Sequence, residues 1–300
     1  MKGVIDMREG FYTALGTPLD EEGQLVKESF IHQIEDQIRY GAAGFLIMGS
    51  MGMGVFIRNS TYREVAEVGA AAVKKACPVF VGVTDTCISR VCDRIHCLHG
   101  LPIDGVVATA PYYQTVTDRE LIQFYGKIAQ QAPYPVYLYD LPSASRNKIT
   151  IQTMMGLKDV KNIKGIKTGD FELAKTLENK ISAGEYPADF HVLYSGLDHF
   201  DEAYKQGIKK NLDGMFACTG QLAESMYRAL AAGDFKTGSE RLRDIVRLRD
   251  IFAEEQIFPS FTYAMNLLGY DGLFHPDYFF MPSPAQKEKI KACMTELHFI

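Results

Sequence analysis

Eight short apolar runs, each followed by a stretch of helical periodicity, most limit the folds open to this chain. The runs cover residues 11–15, 44–48, 79–83, 105–108, 136–139, 163–166, 191–194 and 214–217. Each is too short for a helix, and each lacks the polar alternation of a strand facing water. They read as strands buried on both faces. Between them the period changes. In the first intervening segment, Phe30, Ile31, Ile34 and Ile38 fall on one helical face. Thr61 with Glu64, and Thr117 with Glu120, have the spacing of capping boxes that open two further helices. Alternating strand and helix give a parallel sheet covered by helices. Eight such units in about 220 residues favour an α/β fold of the closed (β/α)8 TIM barrel type over an open doubly wound sheet.

Beyond Gly220 the strand signals stop. Helical patterns occupy 221–231, 235–255, 259–268 and 284–297, punctuated by Gly233, the Phe258-Pro259 step, Pro282 and Pro284. The expected organisation is a barrel over residues 1–220 carrying the active site, with a C-terminal helical extension over 221–300. No low-complexity linker separates the two.

Composition narrows the class of function. With 47% hydrophobic and 23% charged residues, the chain can bury a full core. A net charge of -5 and the lack of a basic stripe argue against nucleic acid as a partner. The apolar stretches are interrupted well before the roughly 20 residues needed to cross a bilayer, so no membrane partner is expected. The segment Met1-Lys2-Gly3-Val4-Ile5-Asp6-Met7-Arg8-Glu9 lacks the apolar centre of a signal peptide. Six cysteines without a secretion signal then read as reduced thiols, and the expected location is cytoplasmic.

In such a barrel the chemistry sits at the C-terminal ends of the strands. Lys167 closes the sixth run, Tyr139 ends the fifth, Ser50 follows the second, Tyr113 follows the fourth, and Asp198 lies beyond the seventh. A strand-end lysine alone is more often a solvated or salt-bridged structural residue than a catalytic one, and Tyr139 alone is more often a packed ring with a satisfied hydroxyl than a proton carrier. Together they supply an amine and three hydroxyls. Desolvation disfavours an ammonium, which favours a nucleophilic amine at such a lysine. Hydroxyls can relay the protons of carbinolamine formation without placing a competing charge beside it.

Two other groupings carry less. Cys87, Cys92, His96, Cys97 and His99 suggest a metal cluster, but no second pair with ligand spacing follows, and they read as ordinary helix thiols and imidazoles. Gly49-Ser50-Met51-Gly52-Met53-Gly54 has neither the ending of a phosphate-binding P-loop nor dinucleotide spacing. Cys218, ending the last run, reads as a packed core thiol. No metal or organic cofactor is expected.

The chain resembles the dihydrodipicolinate synthase / N-acetylneuraminate lyase family of class I, pyruvate-dependent Schiff-base lyases. The resemblance runs from about Phe11 through the C-terminal helices. It rests on Ala14-Leu15-Gly16-Thr17-Pro18, Gly49-Ser50-Met51-Gly52, Pro111-Tyr112-Tyr113, Leu138-Tyr139-Asp140-Leu141-Pro142, Gly165-Ile166-Lys167 and Ser195-Gly196-Leu197-Asp198. It also rests on the spacing of 28 residues between Tyr139 and Lys167. The resemblance implies that Lys167 forms an imine with pyruvate or a longer 2-oxo acid and that Tyr139 carries protons. Ser50 would link Tyr139 to Tyr113, and Tyr113 would come from a neighbouring subunit, so a homo-oligomer, dimer or tetramer, is implied. Backbone amides around Ser50, Met51 and Gly52 would bind the substrate carboxylate. Thr168, Gly196, Asp198 and Ala144 fall at further substrate-binding positions.

The departures matter as much. Met51 stands where the family usually has a second threonine, and Met53 where a glutamate is common. Ala144 stands where the synthases carry an arginine, with Arg146 two residues on, and Asp198-His199 replaces the Asp-Glu of sialic acid lyases. The motifs lie closest to the 2-keto-3-deoxy-sugar-acid aldolases. The expected activity is reversible cleavage of such a sugar acid, or a sialic-acid-like substrate, to pyruvate and an aldehyde. The alternatives are dihydrodipicolinate synthase, condensing pyruvate with aspartate semialdehyde, and a non-catalytic relative that binds a 2-oxo acid.

Overall fold

The computed structural model describes residues 7–300, and residues 1–6, with most of the segment read for a leader, lie outside the described residues. Strands β1 (Gly10–Ala14), β2 (Gly44–Ile47), β3 (Val79–Gly82), β4 (Gly105–Thr109), β5 (Val136–Asp140), β6 (Ile163–Thr168), β7 (His191–Tyr194) and β8 (Lys210–Asp213) close into a parallel barrel in sequence order. The covering helices are α1 (Lys27–Arg39), α2 (Asn59–Val73), α3 (Ile88–Cys97), α4 (Asp118–Gln131), α5 (Pro142–Ser145), α6 (Ile151–Leu157), α7 (Phe171–Ser182) and α8 (Phe200–Lys205). Then follow α9 (Phe216–Ala231), α10 (Phe235–Ala253), α11 (Ile257–Leu267) and α12 (Pro284–Glu296), the helical C-terminal region. No helix among the described residues is long and apolar enough to cross a membrane.

By contact density the chain falls into two units, one of 78–212 with the first residues, the other of 11–77 with 213–300. In the first unit buried aromatic rings join β3 to β5. Phe80 and Tyr137 meet edge to face at 4.8 Å, and the Tyr137 hydroxyl donates to the Met7 sulfur at 3.4 Å. Gly165 makes this possible, because a Cβ there would run into the Tyr137 ring and lie 2.6 Å from the His191 carbonyl. The β5–β6 register then sets Tyr139 opposite Lys167 and Asp140 opposite Thr168. In α4, Thr117 and Glu120 form the expected reciprocal capping box.

In the second unit, α1 buries Phe30 and Ile34 as expected, yet Ile31 is exposed. Its inward face carries two glutamines instead. Gln33 accepts from the Gly16 amide at 3.0 Å, and Gln37 accepts from the Thr13 hydroxyl at 2.8 Å while donating to the Phe216 carbonyl at 2.9 Å. Such polar residues survive burial because their hydrogen bonds are made. The capping box expected at Thr61 is absent. Helix α2 begins at Asn59, and Thr61, inside its first turn, donates to the Arg58 carbonyl at 3.2 Å, while Glu64 pairs with Lys27 at 2.6 Å.

The eighth strand is the largest correction. It is Lys210–Asp213, and the apolar run at 214–217 leads instead into α9. Asn211 is wholly buried, and its side-chain amide donates to the Tyr194 carbonyl at 2.8 Å, which lets a polar residue occupy a strand interior. Met215, Phe216 and Ala217 are buried around a helix start, where the Met215 carbonyl accepts from the Thr219 amide at 3.0 Å. Cys218 therefore lies in a helix. Its buried thiol donates to the Met215 carbonyl at 3.3 Å, and burial pushes it well above the usual thiol range.

Candidate active site

Lys167 and Tyr139 are 5% and 6% exposed at the C-terminal ends of adjacent strands. The Lys167 amine donates to the Tyr139 hydroxyl at 2.8 Å and lies 3.9 Å from the centroid of the same ring. A buried amine without a partner would be costly, and here the phenol is the partner. A buried amine and a phenol are thus already within hydrogen-bonding distance.

One rung further along, Asp140 and Thr168 repeat the relation. The Thr168 hydroxyl donates to Asp140 at 2.8 Å and accepts from the Asp170 amide at 3.0 Å. Asp140 also accepts from the Ile149 amide at 3.0 Å and pairs with Lys148, whose ammonium reaches Asp170 at 3.0 Å. Although burial pushes Asp170 upward, the Leu173 amide and Lys148 hold it below the usual carboxylate range. The Thr168 side chain is thereby committed to the strand ends, and its carbonyl accepts from the Ser195 amide at 2.8 Å.

The β5–α6 connection brings the Tyr113 turn under control. Asn147, buried behind α5, donates to the carbonyls of Pro111 at 2.7 Å, Gln114 at 2.8 Å and Ser145 at 3.0 Å, and accepts from the Val116 amide at 2.8 Å. Between those anchors Tyr113 is 80% exposed and has φ 84, a left-handed conformation costing a bulky residue on the order of 1–3 kcal/mol. A cavity of about 410 Å³ opens beside it, lined by Thr86, Cys87, Tyr112, Tyr113, Gln114 and Phe124. It does not include Lys167 or Tyr139. The Ser89 hydroxyl, 3.3 Å from the exposed Cys87 sulfur, and the Arg90 amide hold that thiol below the usual range. Behind the cavity, buried Asp85 pairs with Arg90 at 2.6 Å and Arg94 at 3.0 Å.

Gly196 is followed by a short 3-10 turn, Leu197–His199, which carries exposed Asp198 and His199. The phenol of Tyr194 lies directly against Gly196. Burial, with the charges of Asp170 and Asp198 behind it, pushes that phenol from 10.0 up to about 12. Ala144 is exposed in α5, and Arg146, which caps α5 at φ 61, is exposed as well.

In the second unit, the loop after β2 folds back tightly on itself. The Met53 amide donates to the Ser50 carbonyl at 3.0 Å and the Gly54 amide to the Gly49 carbonyl at 3.1 Å. A Cβ on Gly54 would strike the Met48 carbonyl, and one on Gly52 would lie 2.8 Å from the Leu15 carbonyl. The Thr17 hydroxyl donates to the Gly52 carbonyl at 2.7 Å. Ser50 is exposed, Met53 is buried, and the Met51 side chain lies across Gly214.

Among the described residues, no three His, Cys, Asp or Glu side chains are grouped so as to hold a metal. On α3, Cys92 is buried while His96 is exposed. Asp140, Lys148 and Asn147 were missed by sequence reasoning. Asp140 did leave a signal, since its distance to Thr168 equals that from Tyr139 to Lys167. Asn147 left none, because its partners are backbone groups.

The sequence profile of the Dihydrodipicolinate synthetase family matches residues 7–295. The 4-hydroxy-tetrahydrodipicolinate synthase of Acidiphilium cryptum (strain JF-5) is 27% identical over 296 residues, covering 97% of this chain and 99% of that one. Among solved structures, the dihydrodipicolinate synthase of Thermotoga maritima superposes with a TM-score of 0.88 at 20% identity, over 98% of this chain and all of that one. YagE, a prophage protein of the dihydrodipicolinic acid synthase family from E. coli K12 solved with pyruvate, gives 0.86 at 20% identity, over 97% of this chain and 99% of that one.

Proposed function

The chain belongs to the dihydrodipicolinate synthetase family, enzymes that form a Schiff base between lysine and pyruvate, and on that premise we propose that Lys167 is the imine former and Tyr139 its proton carrier. The observation that carries the assignment is the buried 2.8 Å contact between the Lys167 amine and the Tyr139 hydroxyl. The amine attacks the keto carbon of a 2-oxo acid, and water leaves to give the protonated imine. Cleavage of the bond between C3 and C4 sends its electron pair into that imine, which a bare carbonyl would have to hold as a costly enolate. Tyr139 takes the proton released from the C4 hydroxyl as the aldehyde forms. Protonation of the resulting enamine at C3 regenerates the imine, and its hydrolysis frees pyruvate and the Lys167 amine.

The aldehyde is the finer part of the proposal. A 2-keto-3-deoxy sugar acid, with a hydroxylated tail and no second carboxylate beside the aldehyde, suits a chain whose position 144 is alanine. The second reading is condensation of pyruvate with aspartate semialdehyde, favoured by the name of the Acidiphilium relative. We further propose that Ser50 supplies a hydroxyl to the proton relay and that the amides of residues 50–52 bind the carboxylate. Tyr113, exposed and strained, would serve a neighbouring copy of the chain in a homo-oligomer.

The test is borohydride reduction in the presence of pyruvate, followed by mass analysis of the peptide bearing Lys167. A reduced pyruvyl adduct on Lys167 is expected, and an unmodified peptide would overturn the assignment. A screen of 2-oxo acids for cleavage, and of aldehydes for condensation, then separates the two substrate readings.

A further inference from the structure

We propose that Asn147 is a positioning residue for the reaction, holding the backbone of Tyr113 in the left-handed conformation from which its hydroxyl reaches its site of use. The proposal rests on the reading of Tyr113 as a member of the proton relay. A strained backbone persists only where its surroundings over-determine it. Tyr113 is 80% exposed, so its own ring is not what fixes φ at 84. What brackets it is the single carboxamide of Asn147, which grips the Pro111 carbonyl before the tyrosine pair and the Gln114 carbonyl and Val116 amide after it.

The chemistry of the clamp calls for asparagine. One end must donate to carbonyls and the other must accept from an amide, within one short side chain. Aspartate keeps the acceptor and loses the donor, setting a carboxylate oxygen against the carbonyls of Pro111, Gln114 and Ser145. The clamp is itself fixed to the catalytic strand. Two residues on, the Ile149 amide donates to Asp140, and Lys148 between them pairs with the same carboxylate. Asp140 is the neighbour of Tyr139 on β5. The Tyr113 turn is therefore held on the strand end that carries the other tyrosine.

Asn147→Ala and Asn147→Asp are compared with wild type in turnover and in equilibrium trapping of pyruvate by borohydride. Trapping on Lys167 should match wild type, while kcat falls about a hundredfold, the scale expected when a reacting group is misplaced by an ångström. Combining Asn147→Ala with Tyr113→Phe should cost no more than Tyr113→Phe alone, because both act through one hydroxyl. Asn147→Asp should regain activity relative to wild type as the pH falls toward about 5, where a protonated carboxyl can again donate. If Asn147→Ala does not fold, Asn147→Asp alone carries the comparison. Wild-type turnover at pH 7 in a folded variant, or fully additive losses in the double variant, would overturn the proposal. Absence of any adduct in wild type would instead overturn the imine reading. Amide hydrogen exchange in Asn147→Asp then decides the clamp by itself: faster exchange at residues 113–116 supports it, and unchanged exchange refutes it.

Discussion

Tyr139 and Lys167 stand directly across the β5–β6 ladder, and the amine reaches the phenol oxygen at 2.8 Å inside a buried layer. Each is the other's polar partner, so a change to either alters both packing and chemistry.

Tyr139→Phe keeps the ring and removes the hydroxyl. Turnover should fall on the order of 10²–10⁴-fold, the usual contribution of a positioned acid or base. Thermal unfolding should stay cooperative, with a loss of about 1–3 kcal/mol from the amine left without its partner. Lys167→Ala should abolish both turnover and borohydride trapping. Full activity in Tyr139→Phe would refute the relay.

Thr168→Val tests the second rung without changing the side chain's size. It takes one hydrogen bond from buried Asp140 and leaves the Asp170 amide without its acceptor. Stability should drop by about 1–3 kcal/mol in denaturant unfolding. An unchanged midpoint would mean that Lys148 and the Ile149 amide suffice to hold Asp140.

Tyr194 is one of several buried phenols that tie stability to alkaline pH. Its folded pKa of about 12 exceeds the ordinary 10.0, so the folded state holds the proton more tightly than the unfolded chain. The stabilisation is complete below pH 10 and is lost as the pH rises through about 12. Between those values Tyr194→Phe should lose less stability than wild type. Parallel losses in the two proteins would argue against a shifted phenol.

Cys87 should be the first thiol alkylated by one equivalent of iodoacetamide. It is exposed with a lowered pKa, whereas burial pushes Cys92 and Cys218 upward. Peptide mass analysis reads the site directly. Prior labelling at Cys218 would contradict the burial described here.

Much of the barrel was legible because buried parallel strands need unbroken apolar runs, and seven of the eight lie within a residue or two of the observed strands. The eighth failed for a physical reason. Lys210-Asn211-Leu212-Asp213 buries its asparagine through a side-chain bond to Tyr194, a device that no apolar pattern records. The same blindness hid Gln33 and Gln37 behind the more conspicuous Ile31. The meeting of Tyr139 and Lys167 was legible because equal positions on neighbouring strands fix a sequence spacing. The hold of Asn147 on the Tyr113 turn was not, since carbonyls and amides carry no letter in a sequence.

The bonds of Gln37 and Asp36 reach far along the chain. Gln37 grips the Phe216 and Ala217 carbonyls, and Asp36 accepts from the Tyr270 hydroxyl at 2.6 Å, at sequence separations of 179, 180 and 234 residues. During synthesis, then, the second unit must wait. Its first helix leaves the ribosome with Gln37 and Asp36 still lacking these long-range partners, which come only with the last third of the protein, while residues 78–212 of the first unit already form one continuous stretch. Pulse proteolysis of stalled nascent chains should find residues 78–212 protected before residues 11–77. The reverse order would show that the early helix finds partners other than those it keeps.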